Sequence, residues 1–282
     1  MIDHQQIHDS NAAKNNAVKE TLFVIKIGGN IIDNTDKLEK FLQQFASIHG
    51  KKILVHGGGK LATQLAKDLN IEQEMVEGRR ITDAATLKIV TMVYAGYINK
   101  NIVAQLQANG NNAIGFTGAD ANLIKAHKRL ASASKGIDYG FVGDVDEVNI
   151  SAIEPLLSQG IAIVVAPITH DGKGQLLNTN ADTIAQSIAT ALSKTYDVAL
   201  LYCFEKNGVL LDTNNDESVI ATINQDSFKK LKENQLIFAG MIPKLENAFV
   251  ALEKGVGKVI IGKAESILDL VQAKAGTTIQ NS

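Results

Sequence analysis

The sequence predicts an α/β fold, a three-layer αβα sandwich around a mainly parallel open sheet. Two runs near the start of the chain carry this prediction. TLFVIKI (21–27) and KKILV (51–55) are largely apolar, as strands buried on both faces of a parallel sheet are. Each run ends in glycines and leads into a segment with helical periodicity. The order strand, helix, strand, helix implies parallel strands joined by right-handed crossovers.

Helical and turn patterns continue this order through the first half of the chain. Residues 36–48 carry apolar side chains at every third or fourth position, as an amphipathic helix does. The charged stretch 70–81 predicts a hairpin, after which Thr82 or Asp83 can cap a long helix. Residues 112–148 alternate short apolar pieces with Gly, Asp and Asn, so we expect strands and loops there.

The second half of the chain again alternates predicted strands and helices. IAIVVAPI (161–168) predicts a strand, and DGKG (171–174) predicts the turn of a hairpin that follows it. DVALLYCF (197–204) and KVII (258–261) predict two further buried strands. Helices are expected from about Asn149, at 180–194, at 225–234, at 243–254 and in a last segment that ends near Lys274.

The domain organisation follows from the absence of a linker rich in proline, serine or charge. Residues 1–20 are polar and predict a flexible N-terminal arm. We expect an N-terminal lobe at 21–170 and a C-terminal lobe at 171–282, built on one continuous sheet.

Composition limits the classes of function. Hydrophobic residues make up 45% and charged residues 21% of the 282 residues, the usual globular mix. A net charge of −2 gives no basic surface for nucleic acid. No apolar run approaches the roughly 20 residues that span a bilayer. The single cysteine, Cys203, suits a reducing compartment, so we expect a cytoplasmic protein without nucleic-acid or membrane partners.

Two glycine clusters, Gly28-Gly29 and Gly57–Gly59, directly follow the two predicted strands. Ligands of open α/β sheets bind beyond the carboxyl ends of the strands. Glycines there let backbone N–H groups approach phosphate oxygens, and a following helix adds partial positive charge. Neither cluster is a Walker A motif or a dinucleotide fingerprint. Packing turns would explain either cluster alone, whereas the pair favours an anion site.

Lys26 lies near the end of an otherwise apolar strand, where a charge is costly unless it meets a partner. A lysine at a strand end can also reach solvent, but glycines on both neighbouring strands favour a role on a transferred phosphate. Lys244 falls in the first turn of a helix that Pro243 can begin. A cation there opposes the helix dipole, so helix stability does not explain it.

NTNAD (178–182) places Asn178, Asn180 and Asp182 at alternate positions before a helix. This cluster could bind a ligand and orient lysines, or Asn180 could simply cap the helix. Arg80 could clamp a carboxylate with its bidentate guanidinium, or be solvated. No metal site is expected, since His56 has no second His or Cys near it.

Six short motifs, in this order and spacing, resemble the amino acid kinase superfamily and most closely its N-acetylglutamate kinases. The resemblance runs from about Leu22 to Ile279 and implies an amino acid kinase-like fold. The motifs are IKIGGN (25–30), LVHGGG (54–59), EGRRIT (77–82), YGFVGDV (139–145), LLNTNAD (176–182) and GMIPK (240–244).

The resemblance implies a role for each matching residue. Lys26 and Lys244 would stabilise charge on the transferring phosphoryl group, and Asp182 would hold both lysines in place. Gly28 and Gly29 would donate backbone N–H groups to ATP phosphates. The acylglutamate site, assigned to the N-terminal lobe, would comprise Gly58, Gly59, Arg80, Asn178 and Asn180. The adenosine side of the C-terminal lobe would be lined by Gly208, Val209 and Leu210, although YCFEKNGVLLD (202–212) departs from the family's usual segment.

The implied reaction is ATP-dependent phosphorylation of the γ-carboxylate of N-acetyl-L-glutamate, the second step of arginine biosynthesis. The carboxylate is already ionised, so no general base is needed, and Mg²⁺ would be carried in with ATP. We expect a homodimer without arginine inhibition, since the N-terminal arm lacks a clear apolar face.

Other acceptors and a non-catalytic function stay open. An N-succinylglutamate would fit if the pocket offered extra donors or a second cation. Other kinases of the superfamily match GRRIT and LLNTNAD less well, and we expect no regulatory or RNA-binding domain after the core. A non-catalytic amino-acid or nucleotide sensor is the third reading, against which both lysines and Asp182 argue.

Overall fold

The computed structural model describes the chain from residue 19 to residue 281, with gaps at 77–78, 132–135, 213 and 238–240. Apart from Lys19 and Glu20, the predicted N-terminal arm lies outside the described residues. Glu77 and Gly78 of the EGRRIT motif and Gly240 of the GMIPK motif also lie outside them.

The strands of the described residues are numbered in chain order. They are β1 (Thr21–Ile27), β2 (Lys51–His56), β3 (Met75–Val76), β4 (Arg79–Arg80), β5 (Ala113–Phe116), β6 (Ile124–Lys128), β7 (Gly143–Val148), β8 (Ala162–Val165), β9 (Ile168–His170), β10 (Leu176–Asn178), β11 (Asp197–Phe204), β12 (Thr222–Ile223), β13 (Lys258–Lys263) and β14 (Thr277–Ile279).

The α-helices are numbered in the same way. They are α1 (Gly29–Ile32), α2 (Thr35–Ser47), α3 (Gly59–Asp68), α4 (Ala84–Thr91), α5 (Asn99–Ala108), α6 (Ile150–Ser158), α7 (Ala181–Leu192), α8 (Gln225–Glu233), α9 (Ile242–Glu253) and α10 (Ile267–Val271).

An eight-stranded sheet forms the middle layer, in the order β12-β14-β13-β11-β1-β2-β8-β5. Neighbouring strands pair in parallel except β13 and β14, which pair antiparallel. The predicted open, mainly parallel sheet is therefore confirmed. β1 lies in the interior of the sheet between β11 and β2, so residues at its carboxyl end are surrounded by the ends of neighbouring strands.

Helices cover both faces of this sheet, as the predicted three layers require. On one face α2, α4, α5 and α10 pack on alternate strand residues such as Ile25 and Leu54. On the other face α6, α7 and α9 pack on the intervening residues, such as Val24 and Val55. Because both faces are covered, the central strands are apolar at successive positions, which is the pattern read from the sequence.

The predicted strand at 161–168 is wrong as one element. β8 ends at Val165 within the main sheet, and β9 begins at Ile168 in a separate four-stranded sheet of order β10-β9-β6-β7. Pro167 lies at the break, and proline cannot donate to the hydrogen-bond ladder of an interior strand. The hairpin turn at 171–174 is confirmed, since β9 and β10 pair antiparallel across it.

The helix predicted after residue 82 is interrupted. Asp83 caps its start by accepting a hydrogen bond from Thr86 N at 2.7 Å. The middle part, Met92–Ile98, is π-helical and separates α4 from α5. Such segments are rare and occur often at functional sites. None of the helices in the described ranges is both long and apolar enough to cross a lipid bilayer.

Candidate active site

One buried carboxylate joins two lysines at the carboxyl edge of the main sheet. Asp182 Oδ1 lies 2.7 Å from Lys26 Nζ, and Asp182 Oδ2 lies 3.2 Å from Lys244 Nζ. The side chains of Lys26 and Asp182 are 13% and 19% exposed, so both are largely removed from solvent. The structure therefore brings the three predicted catalytic residues together.

Three separate elements supply these side chains. Lys26 is the sixth residue of β1, and Asp182 is in the first turn of α7. Asn180 caps α7, because its side-chain oxygen accepts hydrogen bonds from Asp182 N at 2.8 Å and Thr183 N at 3.1 Å. Lys244 lies in the first turn of α9, as predicted. The helix cap thereby fixes the direction in which Asp182 points.

The charge balance of this cluster suits an anion. Burial alone raises the pKa of Asp182, but the charges of Lys26 and Lys244 outweigh it and lower the pKa to about 2. Tyr202 donates a hydrogen bond to the backbone oxygen of Asp182 at 3.4 Å. One ionised carboxylate faces two lysine cations, so the cluster keeps an excess positive charge that a phosphoryl group can neutralise.

A cavity of about 230 Å³ adjoins this cluster on the side of β2 and β10. It includes all five residues predicted to bind an acylated amino acid. It is lined by Gly57, Gly58, Gly59, Met75, Arg80, Tyr94, Arg129, Val142, Pro167, Asn178, Thr179, Asn180 and Ala181.

Arg80 is buried and held rigidly at the wall of this cavity. Its Nη2 donates to Gly59 O at 3.0 Å and to Thr63 Oγ1 at 2.9 Å, and its Nη1 donates to Gln73. None of these partners carries a negative charge, so the guanidinium keeps its charge for a ligand. The alternative of a solvated arginine does not describe this position, since Arg80 is only 9% exposed.

Asn178 is fixed on the opposite wall. Its Nδ2 donates to the buried Thr82 Oγ1 at 3.1 Å, and its backbone N–H donates to Phe141 O. Asn180 serves as the helix cap and also lines the cavity. Both readings that the sequence allowed for Asn180 are thus compatible with its position.

Gly58 needs to be glycine for two reasons. Its φ of 147° lies in a region that side-chain-bearing residues rarely adopt. An added Cβ would overlap Ile98 Cδ1 and lie 3.2 Å from Tyr94 Cδ1. Both of those residues belong to the π-helical segment, which therefore packs directly on the glycine turn.

A larger cavity of about 530 Å³ lies on the side of the first glycine turn. It shares Gly59, Met75 and Arg80 with the smaller cavity, so the two form one cleft. Its lining comprises Gly28, Gly29, Asn30, Ile31, Gly59, Lys60, Thr63, Gln64, Met75, Arg80, Phe204 and Glu205. Helix α1, which begins at Gly29, has only four residues. This turn therefore offers a phosphate its backbone N–H groups rather than the dipole of a long helix.

The structure does not place the predicted adenosine-side residues on either cavity. Val209 is buried, and its backbone N–H donates to Thr277 Oγ1 at 2.8 Å. A Cβ at Gly208 would lie 2.7 Å from the same hydroxyl oxygen and 2.8 Å from Val219. Leu210 is also buried. Gly208 and Val209 therefore pack against Thr277 of β14, whereas Phe204 and Glu205 line the cleft.

Several cleft residues have no sequence pattern that identifies them. Lys60 is a single charged residue after a glycine turn, and Arg129 directly follows another basic residue, Lys128. Phe204 and Glu205 lie in the segment that departs from the family's usual sequence. Position after a glycine turn is the one signal that could have found Lys60. Across the described ranges, no three His, Cys, Asp or Glu side chains cluster closely enough to hold a metal ion.

The comparisons with known proteins agree on the family. The amino acid kinase family matches residues 21–263. Acetylglutamate kinase from Cytophaga hutchinsonii is 58% identical over 252 residues, covering 89% of this chain and 95% of that protein. Acetylglutamate kinase from Phocaeicola vulgatus is 56% identical over 250 residues, covering 89% of this chain and 96% of that protein.

Solved structures with low identity share the fold. N-acetylglutamate synthase from Neisseria gonorrhoeae, complexed with coenzyme A and N-acetyl-glutamate, has a TM-score of 0.78 at 20% identity, covering 93% of this chain and 60% of that one. Carbamate kinase from Giardia has a TM-score of 0.68 at 13% identity, covering 94% of this chain and all of that one. The fold, the family match over most of the sequence and the close curated relatives show that the chain belongs to the amino acid kinase family.

Proposed function

We propose that this chain transfers the γ-phosphoryl group of ATP to the γ-carboxylate of N-acetyl-L-glutamate, as in the second step of arginine biosynthesis. The products are ADP and N-acetyl-L-glutamyl 5-phosphate. The observation that carries the proposal is the Lys26–Asp182–Lys244 cluster, which lies beside a cavity lined by the buried cation of Arg80. Relatives at 58% and 56% identity that are named acetylglutamate kinase support this acceptor.

The cluster accounts for the chemistry of the transfer. An oxygen of the ionised γ-carboxylate attacks the γ-phosphorus while the bond from phosphorus to the β–γ bridging oxygen breaks. ADP takes the electron pair, and no proton has to leave the acceptor. Such a reaction is catalysed by positioning and by stabilising charge on the phosphoryl oxygens. Lys26 and Lys244 supply that charge, while Asp182 holds both ammonium groups in place.

The smaller cavity supplies groups that recognise an acylated amino acid. Arg80 offers a fixed cation for the α-carboxylate. Backbone N–H groups of Gly58 and Gly59 and the amide of Asn178 offer neutral polar partners. The proposal assigns acylglutamate binding to the 21–170 lobe and ATP binding to the 171–282 lobe. The larger cavity is lined mainly by the 21–170 lobe, with Phe204 and Glu205 from the other lobe, and the smaller cavity takes residues 178–181 from the 171–282 lobe. The proposed reaction therefore takes place where the lobes join.

The larger cavity is assigned to ATP, with Gly28 and Gly29 donating to its phosphates. Glu205 lines this cavity, and Asp182 is already paired with two lysines, so the donor set fits Mg²⁺ held mainly by nucleotide phosphate oxygens. When bound, Mg²⁺ neutralises part of the phosphate charge. We keep Gly208, Val209 and Leu210 as residues of the adenosine side, which they would shape through packing rather than by lining the larger cavity.

A second acceptor, N-succinyl-L-glutamate, is favoured by one observation. Arg129 lines the smaller cavity as a second guanidinium, in addition to Arg80. Its Nε and Nη2 form an ion pair with the carboxylate of Asp144, which fixes its orientation and offsets part of its charge. A succinyl group adds one carboxylate to the acceptor, and Arg129 offers that carboxylate the guanidinium N–H groups that Asp144 does not use.

The proposal includes a cytoplasmic homodimer. β5 is the edge strand of the main sheet, and side chains of α5 donate hydrogen bonds to its outward-facing carbonyl oxygens. Met92, Tyr97 and Ile114 are exposed apolar residues on β5 and on the neighbouring π-helical segment. Pairing of two copies along this edge would cover them. The proposal expects a mass of about twice the 30.2 kDa chain in sedimentation experiments, and a Tyr97→Asp variant that sediments as a monomer.

Release of ADP tests the function. The purified chain is mixed with ATP, Mg²⁺ and one acceptor: N-acetyl-L-glutamate, N-succinyl-L-glutamate, free glutamate or carbamate. Turnover with an acylated glutamate and none with the other two supports the proposal. If none of the four acceptors is phosphorylated although ATP or an acylglutamate binds, the chain is instead a sensor.

A further inference from the structure

Lys60 spans the two glycine turns. It follows Gly59 directly and lies in the first turn of α3, yet its Nζ donates a hydrogen bond to the side chain of Asn30. Asn30 is the residue after Gly29, so a side chain from the acceptor-side turn reaches the proposed phosphate-binding turn. Lys60 also lines the larger cavity together with Gly28 and Gly29.

Helix stability does not explain this lysine. A cation in the first turn of a helix is opposed by the helix dipole, and α3 is long enough for that effect. The side chain of Lys60 is 70% exposed, so its charge retains most of its hydration. The ammonium group is therefore accessible to a phosphate oxygen that enters the larger cavity.

The present partners of Lys60 are weak enough to be exchanged. Besides the neutral amide of Asn30, the ammonium group of Lys60 has an ion-pair partner in Asp33, whose Oδ2 lies 3.9 Å away. At this distance, with the ammonium group exposed to water, the pair contributes little to stability. A charge-assisted hydrogen bond to a phosphate is shorter and stronger, and a doubly or triply charged phosphate attracts the ammonium more than one carboxylate does.

Asp33 lies just behind the phosphate-binding turn. A Cβ on Gly29 would be 3.3 Å from its Oδ2, and among the described residues neither carboxylate oxygen has a hydrogen-bond partner. An anion there repels a phosphate bound at Gly29. The cation of Lys60, placed on the cavity side of Asp33, is the group in position to offset that repulsion.

We propose that Lys60 is a third phosphate-binding lysine, which leaves Asn30 and binds the terminal phosphates of the nucleotide. Asp33 and Asn30 are positioning residues that keep the ammonium group at the turn before the nucleotide arrives. This inference rests on the proposed assignment of the larger cavity to ATP. It adds a nucleotide contact that comes from the acceptor-side turn.

Nucleotide affinity tests this role separately from turnover. Calorimetric titration of the full chain with adenosine, AMP, ADP and ATP is compared for wild type, Lys60→Met, Lys60→Arg and Lys67→Met. Lys67 is the matched control, since it is an exposed lysine in the last turn of the same helix. We expect Lys60→Met to weaken ATP binding about tenfold or more, with Lys60→Arg weakened less and Lys67→Met unchanged. Adenosine should bind all four proteins equally.

Comparison of the affinities for ADP and ATP shows which phosphate Lys60 contacts. Loss of affinity for both ADP and ATP places Lys60 at the β-phosphate, and loss for ATP alone places it at the γ-phosphate. Equal ATP affinity of wild type and Lys60→Met would overturn the inference, as would absence of ATP binding in the wild type. Failure of the proposed function would give a different result. ATP would still bind, and its affinity would still depend on Lys60, but no acylated glutamate would be phosphorylated.

Discussion

Lys244 Nζ lies 3.2 Å from Asp182 Oδ2, although the two residues are 62 positions apart and begin different helices. The other oxygen of the same carboxylate holds Lys26 at 2.7 Å. One buried anion thus sets the distance and direction of two cations. Removing either lysine should affect the transition state more than substrate binding, because charge on the phosphoryl oxygens is redistributed during transfer.

Lys26→Met and Lys244→Met should each lower kcat by about 10²–10³-fold, with a much smaller change in KM for either substrate. Steady-state kinetics with ATP and the acylated glutamate measure both constants. Lys254→Met, an exposed position just after α9, is the control and should match wild type. Near-normal kcat in both cluster variants would remove these lysines from the mechanism.

His56 should make folding stability depend on pH. It is fully buried at the end of β2, and burial lowers its pKa to about 4, against a smaller opposing effect of its hydrogen bond to Gly57 O. The carbonyl can only accept, so Nδ1 carries the proton and Nε2 accepts from Asn99 Nδ2 at 3.3 Å. The ring is therefore neutral in the folded chain.

Stability should decrease at acid pH, because the pKa of His56 is lower in the folded chain than its value of 6.5 in the unfolded chain. As the pH falls, the unfolded chain binds the proton before the folded chain does. The contribution of His56 to the free energy of unfolding is therefore fully present above about pH 6.5 and is lost as the pH falls towards 4. The loss should be about 3 kcal/mol. Urea unfolding of wild type and His56→Asn between pH 7.5 and 4 measures it. The variant should be less stable at pH 7 and lack this part of the pH dependence; parallel curves would show that His56 is not the titrating group.

Gly58→Ala should damage the glycine turn. The substitution combines an unfavourable φ with overlap on Ile98, so we expect a loss of about 2 kcal/mol or more in the free energy of unfolding. KM for the acylated glutamate should rise as the turn shifts. Gly96→Ala is the control, because that glycine, in the π-helical segment, has open space where its Cβ would be. Equal stability of the two variants would contradict the packing described for Gly58.

Arg129 should set the preference for the acyl group. Replacing it with Met should lower kcat/KM for N-succinyl-L-glutamate about tenfold or more relative to that for N-acetyl-L-glutamate, because a partly buried charged contact is lost with one acceptor alone. Lys128→Met, the neighbouring exposed residue, should leave the ratio unchanged. An unchanged ratio in Arg129→Met would show that this guanidinium does not contact the acyl cap.

The sequence predicts much of this fold because the central strands are buried on both faces. β1 and β11 read as continuous apolar runs, and the helices between strands have regular periodicity. The break at Pro167 was missed because apolar residues continue across it. The short strand β14 was missed because its three residues give no periodic pattern.

The sequence identifies some residues of the candidate site and not others, and the difference has a physical reason. Lys26 stands out because a lysine within an apolar strand needs an explanation, and Asp182 follows a helix-capping asparagine. Their meeting with Lys244 depends on tertiary packing and was expected from family resemblance rather than from spacing. Lys60 and Arg129 give no local signal, because a single charged residue next to a turn or strand is common on any surface.

Trapping of the product tests the central claim most directly. The chain is incubated with ATP, Mg²⁺, N-acetyl-L-glutamate and hydroxylamine, which converts an acyl phosphate into a hydroxamate that mass spectrometry identifies. Wild type should form the γ-hydroxamate in equal amount to ADP, and the Lys26→Met/Lys244→Met double variant should form neither. ADP release without hydroxamate, or no reaction with either the acetylated or the succinylated acceptor, would contradict the assignment of acylglutamate phosphorylation.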